Sequence, residues 1–252
     1  MEYTGERVVK ERKEITLYYV FFEHFYRYCF ARRYCRDKIV LDAGCGTGYG
    51  TYELSQSAKK VIGIDISDEA IDFCRNNYSR QNIEFLEMDI KNMNFEKDTF
   101  DCVVSFEALE HIEGQERFLA EVKRVLRPGG IFIISTPDRD NYCRRFVTGN
   151  HNRFHKKEFS KVEFETLLKQ YFRIDGVFGQ VAVTQGDGKS LVTKGLGRES
   201  PFKDFVRRIV VKNIMLYKLF VILTLKKRRY TVRPFDEKAR YVYLIAVCIN
   251  EP

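Results

Sequence analysis

Five short apolar runs recur along the chain, each separated from the next by residues with helical periodicity. The runs are Lys38–Leu41, Val61–Ile64, Ile83–Leu86, Cys102–Ser105 and Ile131–Ser135. Their apolar residues follow one another directly, as in parallel strands buried on both faces. An aromatic-rich helix is expected over 15–34, and further helices over about 49–58, 68–79, 115–126 and 158–170. Ser67-Asp68 supplies a helix start, and Arg127-Pro128-Gly129-Gly130 stops the helix that ends at Leu126. Two more strand-like segments follow, at about 172–183 and 240–249. This alternation predicts an α/β fold with a doubly wound, seven-stranded, mainly parallel sheet. The connection from Thr136 to Lys157 is long enough to be a lid or binding loop.

At 252 residues the chain suits a single domain. Residues 1–36 read as an N-terminal helical cap and 37–136 as the ligand-binding core. A loop, helix and strand occupy 137–183, a basic amphipathic helical insertion 184–235, and the last strand 236–252. The net charge of +8 is unevenly placed. From Asp187 to Arg233 there are 13 basic and 3 acidic residues, whereas the remainder holds 30 basic and 32 acidic. Any attraction to acidic partners therefore belongs to that segment and not to the fold. The seven cysteines (29, 35, 45, 74, 102, 143 and 248) include no CxxC pair. They read as reduced thiols of a cytoplasmic protein, and Met1–Arg7 lacks the apolar core of a signal peptide.

The chemistry concentrates in Val40-Leu41-Asp42-Ala43-Gly44-Cys45-Gly46-Thr47-Gly48-Tyr49-Gly50. An apolar strand there breaks into a glycine-rich turn, which lets backbone approach a ligand closely. Asp42, Asp65 and Asp89 stand at or just beyond three successive strand ends, the edge where open α/β sheets bind ligands. Asp65 can accept from both hydroxyls of a ribose, and Asp89 from an exocyclic amine. Ile66 and Ile90 can sandwich a flat base. A dinucleotide fingerprint counted from Gly44 needs glycine at 49, where Tyr49 stands. Asp42 beside the glycines suits a cationic ligand end, an ammonium or sulfonium, better than a pyrophosphate.

Asp42-Ala43-Gly44-Cys45-Gly46-Thr47-Gly48 resembles motif I of the class I S-adenosylmethionine-dependent methyltransferases, Rossmann-like enzymes. Gly63-Ile64-Asp65-Ile66-Ser67 and Met88-Asp89-Ile90 resemble their second and third motifs. Phe106-Glu107-Ala108-Leu109-Glu110-His111-Ile112 and Leu126-Arg127-Pro128-Gly129-Gly130 resemble later landmarks, in the right order. The resemblance implies S-adenosylmethionine as cofactor. It places Asp42, Gly44, Cys45, Gly46 and Gly48 along the methionine part, Asp65 on the ribose and Asp89 on the adenine. Ile66, Ile90 and Phe106 belong to the same pocket. Thr4-Gly5-Glu6-Arg7-Val8, Arg27-Tyr28 and the His-x-x-Glu-Phe piece at 155–159 resemble the polysaccharide-associated branch.

Methyl transfer from a sulfonium is an in-line displacement in which alignment supplies much of the rate. A sugar hydroxyl gains further from a general base, for which histidine is suited. Of four histidines, His111 follows the fourth strand and His155 lies near the long loop, so these two are the candidates for base or substrate positioning. His151 with His155 has helical metal-ligand spacing, but no further ligand accompanies them in sequence, and no metal is expected. The expected reaction is O-methylation of a sugar or glycan-linked acceptor. Quinone or lipid-like acceptors, RNA, and a non-catalytic cofactor-binding role are the alternatives. In 202–229, apolar residues at 202, 205, 206, 209, 216, 220 and 223 share one helical face. That helix reads as a cover or interface, or as a peripheral contact with anionic membrane. Nucleic acid ranks last, because no stacking platform accompanies the charges.

Overall fold

The computed structural model describes residues 15–142, 154–183, 232–237 and 239–252. Helix α1 (Ile15–Ala31) ends in a 3-10 turn at Arg32–Tyr34. Then follow β1 (Ile39–Ala43), α2 (Tyr49–Leu54), β2 (Lys60–Asp65), α3 (Asp68–Asn77), β3 (Ile83–Glu87) and β4 (Phe100–Phe106). A 3-10 turn at Leu109–His111 leads to α4 (Gln115–Val125), β5 (Leu126–Pro137), α5 (Arg139–Tyr142) and α6 (Lys161–Lys169). The last elements are β6 (Arg173–Val183), β7 (Arg233–Pro234) and β8 (Arg240–Ile249).

The strands form one sheet in the order β3-β2-β1-β4-β5-β8-β6-β7. The first five are parallel, while β8 runs antiparallel between β5 and β6. Strand direction alternates side chains between two buried faces. Leu41, Val103, Phe132 and Ile134 pack against α4 and α6 through Phe118, Leu119, Val122, Phe164 and Leu168. Val40, Cys102, Val104 and Ile133 pack against Tyr28, Phe30 and Ala31 of α1 and Leu54 of α2. Both faces are covered, which is why the sequence shows continuous apolar runs.

Among the described residues the sheet has eight strands, where the sequence pattern predicts seven. The additional one, β7, has two residues that pair with Phe178 and Gly179, too few to leave a periodicity. It stands inside the stretch 184–235 that the pattern assigns to a helical insertion. The Pro-Gly-Gly stop does end α4, but no loop follows, since β5 begins at Leu126 and Gly129 takes a φ of 75° within it. The long connection after β5 contains α5. Buried Asp138 holds this turn, accepting from the Asp140 amide at 3.1 Å and Asn141 Nδ2 at 2.6 Å. Thr4–Val8, His151 and the 202–229 helix lie outside the described residues. Among the described residues no helix is long and apolar enough to cross a membrane.

Candidate active site

The turn after β1 is fixed from beneath. The Gly44 and Cys45 amides both donate to Ile64 O at 2.9 Å, so the loop hangs from the end of β2. Gly44, Gly46 and Gly48 all have positive φ. At Gly46, with φ of 53°, a Cβ would meet nothing within 4 Å, so this point of the loop faces open space. The Cys45 side chain is buried with Ile71, Cys74 and Phe85, leaving its backbone as the part that lines the loop.

Asp42 lies under the same turn and is fully buried. Tyr28 Oη donates to its Oδ1 at 3.1 Å and Thr51 Oγ1 to its Oδ2 at 2.6 Å. Burial pushes its carboxyl up to about 7 against the pull of these two hydrogen bonds, with Asp65 adding to the rise. Both oxygens are engaged inside the protein, so any effect of Asp42 on a cationic ligand would be exerted through its field.

Asp65 ends β2. Its Oδ2 accepts from the Gly46 amide at 2.9 Å and its Oδ1 from the Ser67 amide at 3.0 Å. The carboxylate is thereby aimed beside the glycine loop. Ile66, next in sequence, is 68% exposed, an unusual position for a large apolar side chain next to a built loop. Asp89 is half-buried and accepts from the Lys91 amide at 2.8 Å, while Ile90 is buried in the core. Phe106 is buried at the end of β4, edge-on to Tyr28 with ring centroids 4.9 Å apart. The sites assigned to ribose, base and loop thus lie on adjoining strand ends.

Helix α1 covers this edge and brings Arg27 with it. Arg27 is fully buried, donates from Nη1 to Gln180 Oε1 at 2.8 Å and stacks 4.3 Å over the Tyr243 ring. Its Nε and Nη2 have no hydrogen-bond partner among the described residues, and Nη2 lies 3.9 Å from Glu107 Oε1. Buried guanidinium nitrogens without a hydrogen bond are costly, and a ligand carboxylate would relieve that cost. His24, one turn earlier, is held well below the usual histidine range by burial and by the charges of Arg27 and His111.

A second group of side chains gathers where β4 ends. Glu107 has a φ of 54° and accepts from Ser135 Oγ at 2.7 Å. Glu110 is fully buried and accepts from Thr136 Oγ1 at 3.2 Å through Oε2. Burial, followed by the charge of Glu107, pushes its carboxyl up to about 8. The amides of Lys156 and Lys157 donate to Glu110 O at 2.7 and 3.2 Å, which brings His155 to His111 across the chain. The two imidazoles meet edge to face at 4.8 Å. His111 Nδ1 contacts Phe154 O at 3.3 Å, and His155 Nδ1 contacts Glu158 Oε1 at 2.7 Å. A carbonyl or carboxylate oxygen only accepts, so in each contact Nδ1 is the donor and Nε2 is the ring nitrogen turned away from that partner.

The structure thus brings together the two histidines that sequence reasoning selects. Glu110 and Glu158 stand beside them without having been singled out, although both lie within the quoted segments. Nothing in the sequence marks Glu110 as buried. Tyr28 and Thr51 as partners of Asp42 left no sequence signal either.

The sequence matches the methyltransferase domain family over residues 41–134. A probable S-adenosylmethionine-dependent methyltransferase of Mycolicibacterium smegmatis is 33% identical over 177 residues, covering 70% of this chain and 67% of that one. This chain thus spans about two thirds of that relative's length. A fatty-acid O-methyltransferase of the same organism is 36% identical over 98 residues, 38% of this chain and 36% of that one. Among solved structures, the complex between the Haloferax volcanii Trm112 methyltransferase activator and a methyltransferase matches with a TM-score of 0.63. There the identity is 18%, with 91% of this chain and 90% of that chain covered. That likeness shows the fold. The chain belongs to the S-adenosylmethionine-dependent methyltransferases, and S-adenosylmethionine is its cofactor.

The residues present fit that molecule. The open face at Gly46, the Asp65 carboxylate and the exposed Ile66 match its methionine, ribose and adenine parts in order. The orphaned nitrogens of Arg27 match its carboxylate.

Proposed function

We propose that the enzyme methylates an oxygen, specifically a hydroxyl of a sugar or glycan-linked acceptor. The observation that carries this reading is the Glu110–His111–His155 cluster at the end of β4. S-adenosylmethionine supplies a methyl group already activated on a sulfonium, so the acceptor side decides what else the protein must provide. A phenolate or amine needs only positioning, whereas a sugar hydroxyl is a poor nucleophile until its proton is removed. A cluster of two oriented imidazoles and a buried carboxylate suits that task. His111 and His155 act on the acceptor. Glu158 orients His155, and Phe154 O orients His111. Gly44, Gly46 and Gly48 present backbone to the cofactor, Asp65 holds its ribose, Asp89 reads the adenine, and Ile66 covers the base. Asp42 balances its cationic end through the field, and Arg27 takes its carboxylate.

A lipid hydroxyl or carboxylate is the second reading, supported by the similarity to a fatty-acid O-methyltransferase. The basic, apolar-faced stretch 202–229 would then hold the enzyme at an anionic membrane surface. One screen separates the readings. Labelled methyl transfer is measured with oligosaccharides, fatty acids, quinols and RNA as acceptors. Product on the oligosaccharide, as a methyl ether, supports the first reading, and product confined to fatty acid or quinol replaces it with the second. Binding to anionic vesicles that disappears at high salt supports the membrane contact; no binding at low salt removes it.

A further inference from the structure

We infer that Glu110, His111 and His155 form a binding site for one divalent transition-metal cation beside the cofactor cradle. One ligand atom from each of the three lies within 4.8 Å of the other two. The three come from two segments, the turn after β4 and the approach to α6, which the amides of Lys156 and Lys157 tie together on Glu110 O. Both imidazoles are turned by a partner on Nδ1, Phe154 O for His111 and the Glu158 carboxylate for His155. A hydrogen bond from the far ring nitrogen to a carbonyl or carboxylate is how ligating histidines are oriented. The Glu158 and His155 side chains are themselves almost fully buried, so this contact is built into the protein.

Glu110 supplies an independent observation. Its side chain is fully buried, and its Oε1 has no hydrogen-bond partner among the described residues. The His111 Nε2 lies 3.8 Å from that oxygen, too far for a hydrogen bond. A buried carboxylate oxygen left unpaired is costly, and a cation at this point would satisfy it. Two imidazole nitrogens and one carboxylate oxygen suit Zn²⁺, Fe²⁺, Mn²⁺ or Co²⁺ better than the all-oxygen preference of Ca²⁺ or Mg²⁺. Bonds of about 2.0–2.2 Å would draw the three ligand atoms together by roughly an ångström. Three protein ligands leave open positions, as catalytic sites do.

The use of those positions rests on the acceptor reading above. His111 and His155 then act on the acceptor through the cation. A sugar hydroxyl bound there gives its proton to solvent water and keeps the O–H bonding pair. The oxygen forms the bond to the methyl carbon, and the C–S bond breaks with its pair leaving on sulfur as the neutral thioether.

The test is a titration of the full chain, stripped with a chelator, with Co²⁺ followed by visible absorption and with Zn²⁺ followed by calorimetry. One ion per chain is expected, with ligand-field bands for Co²⁺. His155→Asn and Glu110→Gln should each weaken binding more than tenfold, and Glu158→Gln by about 10- to 100-fold. If Glu110→Gln does not fold, His155→Asn and Glu158→Gln carry the test. Absence of saturable one-to-one binding by the native chain overturns the inference, as does unchanged binding by His155→Asn. The titration contains no acceptor. An enzyme that binds the ion but does not methylate sugars refutes only the proposed substrate. Full sugar methylation by metal-free protein refutes only the cation's part in removing the proton.

Discussion

The phenol of Tyr28 donates to Asp42 Oδ1 at 3.1 Å, linking the covering helix α1 to the acid beneath the glycine loop. Tyr28 is buried and also meets Phe106 and Tyr49 edge to face, so one residue joins the cap, β4 and α2. Tyr28→Phe removes the hydrogen bond while keeping the ring. It should cost about 1–3 kcal/mol, because Asp42 stays buried with one donor fewer. Thermal unfolding should show a drop of several degrees, with weaker S-adenosylmethionine binding by calorimetry. An unchanged Tm together with unchanged affinity would show that the link carries no load.

Gly46 and Gly50 separate cofactor space from packing space. A Cβ at Gly50 would sit 2.0 Å from Tyr28 Cζ, whereas one at Gly46 would meet nothing within 4 Å. Gly50→Ala should therefore destabilise the fold by several kcal/mol through overpacking. Gly46→Ala should cost only about 1–2 kcal/mol for its left-handed backbone, yet reduce cofactor affinity strongly. Melting curves and cofactor titrations on both variants check the contrast.

Asp65 is expected to contribute to binding through the ribose, which S-adenosylmethionine and its demethylated product share. Asp65→Ala should weaken both about equally, by roughly 10- to 100-fold if one to two charge-assisted hydrogen bonds are lost. Asp42→Asn should weaken the sulfonium form more than the neutral thioether, since only the former gains from the field of Asp42 at the reacting sulfur. Calorimetry with both ligands distinguishes the two roles.

Asp42 and Glu110 carry folded-state pKa values of about 7 and about 8, raised chiefly by burial. Between about pH 4 and 8 the native state therefore holds protons that the unfolded state has released. Stability from these groups is fully present below the unfolded values and is lost as pH rises through the folded ones. Each should account for a fall on the order of a few kcal/mol. Denaturant unfolding from pH 5 to 8.5, with chelator present, should show this decline, and Glu110→Gln should flatten its upper part. A stability that rises over that range would contradict the assignment.

Much of this was legible in the sequence, for identifiable reasons. Parallel strands buried on both faces write continuous apolar runs, so β1 to β5 were visible. β7 was not, because two residues at a sheet edge carry no period. The place of Asp65 at a strand end is readable because it follows an apolar run and precedes Ser67, the helix cap. His111 and His155 were selected by residue type and place, but their meeting depends on Lys156 and Lys157 donating to Glu110 O, a contact across 46 positions of chain. The burial of Glu110 and Arg27 is likewise a product of packing and leaves no local mark.

In the proposed reaction the Glu110–His111–His155 cluster activates a sugar hydroxyl for methylation. Its most direct measurement is single-turnover transfer of labelled methyl from prebound cofactor to an oligosaccharide, comparing the native enzyme with His155→Asn. The expected result is a methyl ether formed by the native enzyme and at least 100-fold slower transfer by the variant, at unchanged cofactor affinity. Equal rates from both, or methyl found only on acceptors lacking a hydroxyl, would contradict it.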